Sequence, residues 1–199
     1  MQLRSLHLLV IAFALAGTLA ACTSPPPAPT FPDIHFTGEP PIRLAVSNVD
    51  VQSNFRPSYQ PPHVEHLFPV PPERALENWA HDRLVAAGGN NASARFVITD
   101  ASVVEVELKK KSEGITSAFT TEPAQRYDAT IAAHLDIVDQ HGVPVRSVSV
   151  KVTRSQSVLE GITPNDRDKT WYEMTKQLMA DFDHQMSGEV SSHFGGYFQ

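Results

Sequence analysis

Residues 127–158 read YDATIAAHLDIVDQHGVPVRSVSVKVTRSQSV and have the clearest strand pattern of the chain. From Tyr127 to Ile137, apolar or small side chains alternate with mostly polar ones, a period of two that predicts a strand with one buried face. After Val138, the four residues from Asp139 to Gly142 are typical of a tight turn, because Gly142 can take a positive φ. The stretch is therefore predicted to form a β-hairpin.

The segment from Val143 to Val158 is the expected second strand of this hairpin. Its inward side chains are predicted to be Val148, Val150 and Val152. Val143 and Val145 have the opposite parity, and this change predicts a β-bulge near Arg146.

Two segments with helical periodicity flank the strands. The first runs from Pro72 to Ala87 and ends at Gly88-Gly89, with an apolar stripe of Leu76, Trp79, Ala80, Leu84 and Ala87. The second runs from about residue 164 to about residue 193, with a stripe of Trp171, Met174, Leu178, Phe182, Met186 and Val190. Thr163 is its predicted N-cap, and Asp166 stands where a carboxylate reaches back to the cap.

Two further segments have the alternation of strands. They run from Ile42 to Val51 and from Phe96 to Leu108; in the second, one face is predicted to hold Phe96, Ile98, Val104, Val106 and Leu108. The element order is then β-α-β-β-β-α. Because each helix has a single apolar stripe, we expect an α+β fold. It is a two-layer sandwich whose mainly antiparallel sheet of about four strands is covered on one face by two helices.

The N-terminus has the features of an export signal. Arg4 supplies a positive charge, and Leu8 to Ala16 form an apolar run that is too short to span a bilayer, which needs about 20 residues. Small residues follow at Ala20 and Ala21, as a signal peptidase requires. Residues 1–21 are therefore predicted to be a signal peptide.

The tetrad Leu19-Ala20-Ala21-Cys22 resembles the lipobox of bacterial lipoproteins, and Cys22 is the only cysteine of the chain. The resemblance implies that fatty acids such as palmitate are attached at Cys22, that the leader is removed before it, and that the lipid holds the protein at a membrane. Thr23 in place of Asp implies the outer membrane, facing the periplasm, with the inner membrane as the alternative. The other interpretation is an ordinary secretory signal that happens to contain a cysteine.

Removal of the leader would leave a tether and one domain. Residues 22–41 contain seven prolines, which favour a semi-rigid stalk. Residues 42–199 are predicted to form a single α+β periplasmic domain. The net charge changes from −6 to −7, because the leader holds Arg4 and no acid. Such a chain repels nucleic acid, so we expect no nucleic-acid partner.

Two polar clusters are candidates for a chemical site. His63-Val64-Glu65-His66 lies in a long proline-rich loop at residues 52–72, and its two interpretations are a metal site and solvated loop histidines. The second is preferred because the HExxH pattern is absent. His134 and Asp136 share the polar face of one strand, and a nucleophilic triad would need a serine from elsewhere in the fold. We expect no catalytic residue, no metal ligand and no cofactor.

The lipobox, the stalk and the element order together resemble the auxiliary lipoproteins of ABC-type envelope transport systems, including those of lipopolysaccharide assembly. The resemblance in element order covers residues 42–193. It implies a non-enzymatic adaptor that is anchored by Cys22 and docks on a protein partner in an envelope transport or assembly complex. The docking surface would be a strand edge or the loop at 52–72. The alternative is a periplasmic lipid- or small-ligand-binding module with an acyl chain between helix and sheet.

Overall fold

A computed structural model of the chain describes residues 30–89, 91–108 and 123–197. The strands are β1 (Ile42–Leu44), β2 (Val49–Ser53), β3 (Leu84–Ala86), β4 (Ser93–Glu107), β5 (Pro123–Val138) and β6 (Pro144–Leu159). The helices are α1 (Pro72–Arg83) and α2 (Pro164–His193), and a short 3-10 helix spans Glu65–Leu67.

The larger sheet has the strand order β2-β4-β5-β6. Strands β4, β5 and β6 are antiparallel neighbours, whereas β2 pairs with β4 in parallel, as a β-α-β connection through α1 requires. Inward side chains of these strands share one apolar core with the two helices. The predicted two-layer α+β sandwich is therefore confirmed, with a small parallel sheet of β1 and β3 added to it.

The predicted hairpin is confirmed as β5 and β6. Gly142 has a φ of 78°, and the Asp139 carboxylate accepts hydrogen bonds from the backbone N–H groups of His141 (2.8 Å) and Val143 (2.9 Å). The bond from the Val143 N–H is the main reason why the pKa of Asp139 lies below its usual value. The predicted bulge is also present, because Ile137 pairs with Arg146 whereas the next residue, Val138, pairs with Pro144.

The predicted faces of β4 are wrong in its second half. Ile98 pairs with Ala133 but Asp100 pairs with Ala132, so Thr99 is an extra residue that forms a bulge. One inserted residue moves every later side chain to the other face of the sheet. Ala101 and Val103 are consequently fully buried, and Val104 and Val106 lie on the open face.

The first predicted strand and the first predicted helix are both shorter than expected. Residues 45–48 separate β1 from β2, and the Ala45 N–H donates to the Tyr197 carbonyl at 2.8 Å instead of continuing a ladder. Helix α1 ends at Arg83, four residues before the predicted end, because Leu84 takes an extended conformation and pairs with Ile42. Tertiary pairing with β1 outweighs the helical period here.

Helix α2 agrees with its predicted bounds and stripe. It begins at Pro164 and ends at His193, and all six predicted stripe residues are buried. Thr163 caps it: the Thr163 Oγ1 accepts a hydrogen bond from the Asp166 N–H at 3.2 Å and donates to the Asp166 carboxylate at 2.7 Å. The cap therefore satisfies one of the N–H groups that the first turn leaves unpaired.

The Thr163 cap is expected to stabilise the folded protein. Thr163→Ala removes the acceptor for the Asp166 N–H, so we expect the free energy of unfolding to fall by about 1 kcal/mol. Urea unfolding followed by circular dichroism measures the change. Thr170→Ala is the matched control, because the Thr170 hydroxyl donates to a carbonyl that the helix already uses. An equal loss in the two variants would contradict the capping role.

Part of the predicted stalk packs on the domain. Ile34 is buried, the Phe36 N–H donates to the Asp82 carboxylate at 2.8 Å, and the rings of Phe31 and Tyr172 lie 5.2 Å apart. A tether that is free of the domain can therefore extend only to about residue 30, which is shorter than the predicted 22–41.

Candidate functional site

Strand β6 forms an edge of the four-stranded sheet. In the described part of the chain it pairs only with β5, and the register is unbroken from Arg146 to Val158. Its 16 residues exceed the usual strand length of about 3–10 residues. A long regular edge presents a row of backbone donors and acceptors to which an extended segment of another chain can add.

The side chains of this edge combine positive charge with apolar ends. Three cations and no acid lie on β6, in a chain whose net charge is −6: Arg146, Lys151 and Arg154. Of the five large hydrophobic side chains that are exposed in the described residues, three lie at the ends of this hairpin strand: Val143 (54% exposed), Val145 (36%) and Leu159 (51%). The edge is therefore basic with an apolar contact at each end, and Arg154 is the one of its three cations that pairs with a carboxylate of α2, Asp181, at 2.6 Å.

The predicted pair of His134 and Asp136 lies beside β6 on the open face of the sheet. Asp136 is buried, and its carboxylate accepts hydrogen bonds from the Ser147 hydroxyl (2.6 Å) and from Arg95 (3.2 Å). The His134 Nε2 is 3.7 Å from Asp136, beyond hydrogen-bond distance. Since the serine donates to the carboxylate and not to the imidazole, the relay of a nucleophilic triad is not formed.

A second carboxylate on the open face is held in a similar way. Asp128 accepts two hydrogen bonds from the Arg126 guanidinium, at 2.7 and 2.8 Å, and one from the Ser155 hydroxyl at 2.6 Å. The Arg126 bonds lower the pKa of Asp128 and raise that of Arg126. Ser147 and Ser155 thus tie β6 to β5 through carboxylates, which keeps the edge strand in register.

The histidine cluster of the 52–72 loop occupies a folded segment. The Val64 N–H donates to the Val103 carbonyl, and the Pro62 carbonyl accepts from the Glu105 N–H, so this segment covers the part of β4 that lies beyond the end of β2. Within it, Glu65 is only 3% exposed, and its Oε2 accepts from the Val103 N–H at 3.2 Å.

The metal interpretation of this cluster gains no support. His63 Nδ1 is 3.6 Å from Glu65 Oε2, and no group of three or more His, Cys, Asp or Glu side chains among the described residues could hold a metal ion. The burial of Glu65 is a feature that sequence reasoning missed. A glutamate in a proline-rich loop is ordinarily solvated. The loop has no periodic pattern that would have predicted the burial of Glu65.

The space between the helices and the sheet is filled by aromatic side chains. The Trp79 ring lies 5.1 Å from Phe182 and 5.4 Å from Phe96, and all three side chains are fully buried. An acyl chain at this point would have to displace them. The described layer interface is therefore a packed core at the place where the alternative function requires a groove.

The predicted lipidation site, Cys22, lies outside the described residues, as does the predicted signal peptide at 1–21. Both stay predictions from the sequence. Across 30–89, 91–108 and 123–197, no helix has the length and apolar character needed to cross a bilayer.

Comparisons with known proteins identify no family. No family model and no curated protein matches the chain. Similar solved structures include a minor lipoprotein of Acinetobacter baumannii, at 12% identity and a TM-score of 0.41, with 75% of this chain and 93% of that chain covered.

Two further structures are similar at the same low level. One is a Helicobacter pylori protein described as a homolog of neuraminyllactose-binding hemagglutinin (13% identity, TM-score 0.34, 85% of this chain and 95% of that chain covered). The other is a DUF330 protein of Xanthomonas campestris (12% identity, TM-score 0.33, 83% and 93% covered). These TM-scores assign the chain to none of the three families and carry no functional argument.

Proposed function

We propose that this protein is a non-enzymatic lipoprotein that serves as an adaptor in a cell-envelope transport or assembly complex. Lipid on Cys22 anchors it, and the free edge of β6 receives an extended segment of the partner. The observation that carries the docking step is the 16-residue edge strand, which pairs on one side only in the described chain. Backbone hydrogen bonds along such an edge supply affinity, and flanking side chains supply specificity.

The anchor rests on the tetrad Leu19-Ala20-Ala21-Cys22 and on the absence of a second cysteine from the sequence. A lone thiol directly after small residues and an apolar run is explained by acylation, since it has no disulfide partner within the chain. Thr23 favours the outer membrane, with the domain in the periplasm, and the inner membrane is the alternative location.

The charge of β6 favours a partner segment that carries acidic side chains. Opposite charges on neighbouring strands stabilise their pairing, and like charges directly across from each other destabilise it. A second copy of this chain would pair its own β6 antiparallel. In registers centred on residue 150 or 151, that pairing sets Arg146 against Arg154 or Lys151 against Lys151. The strand is therefore better suited to a different, acidic chain than to itself.

The alternative function, a lipid-binding module, would need a cavity between the layers. Trp79, Phe96 and Phe182 fill that position in the described structure. The small-ligand form of this alternative has one feature in its favour, the cavity beside the buried Glu65.

Charge reversal on β6 tests the docking surface. Lys151 is exposed on the open face, and Lys151→Glu would set a negative charge against an acidic partner. With a photo-crosslinking residue at Ser149 in intact cells, we expect the yield of the crosslinked partner to fall about tenfold, because exchanging an attractive for a repulsive contact at an exposed site costs about 1.4 kcal/mol. Quantitative mass spectrometry of the purified adduct measures the yield.

Lys169→Glu is the matched control, since Lys169 is also an exposed lysine but lies on α2 and not on β6. Its crosslinking yield is expected to equal that of the native chain. Equal yields for all three proteins, or adducts that form equally well from a crosslinker placed at residue 169, would contradict docking on β6. Every variant is expected to stay in the membrane fraction. A lower crosslinking yield then reports a loss of docking and not a loss of the lipid anchor.

A further inference from the structure

A small cavity lies between the 52–72 loop and the start of α1. Its volume is about 240 Å³, and two carboxylates, an imidazole and two aromatic rings contribute to its wall: Glu65, Glu73, His66, Phe55 and Tyr59. None of the described residues that line it is Lys or Arg. The cavity thus combines negative charge with aromatic surface.

Two members of this wall, Glu65 and His66, have a buried polar atom without a hydrogen-bond partner in the described residues, and Glu65 is the one that carries a carboxylate. It is 97% buried, and its Oε2 accepts the hydrogen bond from the Val103 N–H, but its Oε1 is buried without a hydrogen-bond partner in the described residues. An ionised carboxylate is an acceptor only, so the Oε1 atom requires a donor. A buried acceptor without a donor is costly, and native proteins almost always supply one, from protein, water or ligand.

The neighbouring groups indicate what kind of donor fits. Glu73 already accepts a hydrogen bond from the Ser53 hydroxyl, and the rings of Tyr59 and His66 lie 5.3 Å apart at the cavity wall. Tyr59 has a φ of 55°, a left-handed conformation that a tyrosine rarely takes and that holds its ring at this position. Aromatic faces and carboxylates together attract organic cations.

A metal ion fits this wall poorly, because no cluster of three ligating side chains exists in the described residues. The volume also lies below the range of about 300–1,000 Å³ for drug-sized ligands. We propose that the cavity is a binding site for an organic ammonium group, from a small amine or from the end of a lysine side chain, with Glu65 Oε1 accepting its hydrogen bond. This site is separate from β6, so it does not depend on the docking function proposed above.

The test uses the full chain in detergent and follows the methyl resonance of Ala101, which lines the cavity. The probes are n-butylammonium for a free amine, Nα-acetyl-lysine methylamide for a lysine side chain, and 1-butanol as the uncharged control. We expect saturable shifts with one or both ammonium probes and none with butanol at the same concentrations. The tighter of the two ammonium probes identifies the source of the group.

Glu65→Gln keeps an oxygen for the Val103 N–H but replaces the free acceptor by an NH₂ donor. We expect it to weaken ammonium binding by about tenfold or more, because a hydrogen bond to a charged group is lost. Glu77→Gln is the matched control. It removes the same negative charge, but Glu77 lies on α1 outside the cavity wall. Its affinity is expected to be that of the native chain.

Tyr59→Ala provides an independent variant if Glu65→Gln fails to fold. Tyr59 is 66% exposed at the rim, so its removal leaves the core intact and should weaken ammonium binding by about threefold. Absence of binding to the native chain would overturn the proposal. So would equal binding of butanol, or unchanged affinity in both Glu65→Gln and Tyr59→Ala.

Discussion

Cys22→Ala is expected to move the protein from the membrane fraction to the soluble periplasmic fraction almost completely. The reason is that Cys22 is the only thiol of the chain, so the variant has no site for the two acyl chains that the lipobox resemblance implies. Each buried CH₂ contributes about 0.8 kcal/mol, and one chain gives marginal binding whereas two give stable anchoring. Loss of both chains therefore removes the whole anchor.

Fractionation of cells and intact-mass analysis of the purified protein measure this effect. Thr23→Ala is the control, because it changes the neighbouring residue and leaves the thiol in place. Membranes are washed with high salt, which screens charged contacts of the kind proposed on β6. A Cys22→Ala variant that still sediments with washed membranes would refute the anchor, and so would a native protein whose Cys22 sulfur is unmodified.

The elements that could be predicted from the sequence are those with a long, strict period. Alternation from Tyr127 to Ile137 defined the buried face of β5, and the three- and four-residue steps from Trp171 to Val190 defined the stripe of α2. A long period averages over many residues, so one exception does not change the assignment. The fold class followed from these two elements and their order.

Short-range events in the fold could not be predicted in the same way. The bulge at Thr99 inserts one residue, and nothing in the local composition marks it, yet it exchanges the two faces of β4 from there on. Strand β3 forms where a helical pattern still continues, because Ile42, about forty residues earlier in the chain, offers a pairing partner for Leu84. Such choices depend on partners that are distant in sequence.

The candidate sites show the same division. A strand edge is among the docking surfaces expected from the sequence, but the strand order β2-β4-β5-β6 is what places β6 at that edge. The burial of Glu65 depends on how a proline-rich loop folds over β4, with the Val103 N–H as the group it meets. Loops lack a period, so their contacts are determined by tertiary structure alone.

Asp183→Ala is expected to reduce the free energy of unfolding by about 3 kcal/mol, because it leaves a buried charge without its partner. Asp183 Oδ1 accepts hydrogen bonds from the Trp79 indole N–H and from the Arg83 guanidinium, both at 2.7 Å, and so joins α1 to α2. The Arg83 side chain is only 6% exposed, and it also donates to the Ser187 hydroxyl at 3.0 Å. The variant would thus leave the buried Arg83 guanidinium without its carboxylate and the buried Trp79 indole N–H without its acceptor.

Asp181→Ala is the matched control for this effect, two residues earlier on the same helix. Asp181 pairs with Arg154 at 2.6 Å, but its side chain is 46% exposed, and an exposed ion pair contributes at most about 1 kcal/mol. Urea unfolding of both variants, with the slope of the transition compared to confirm a common unfolded state, measures the difference. Equal losses at 181 and 183 would mean that Asp183 acts as an ordinary surface charge. A loss confined to Asp183 would show that this buried pair stabilises the packing of α1 against α2.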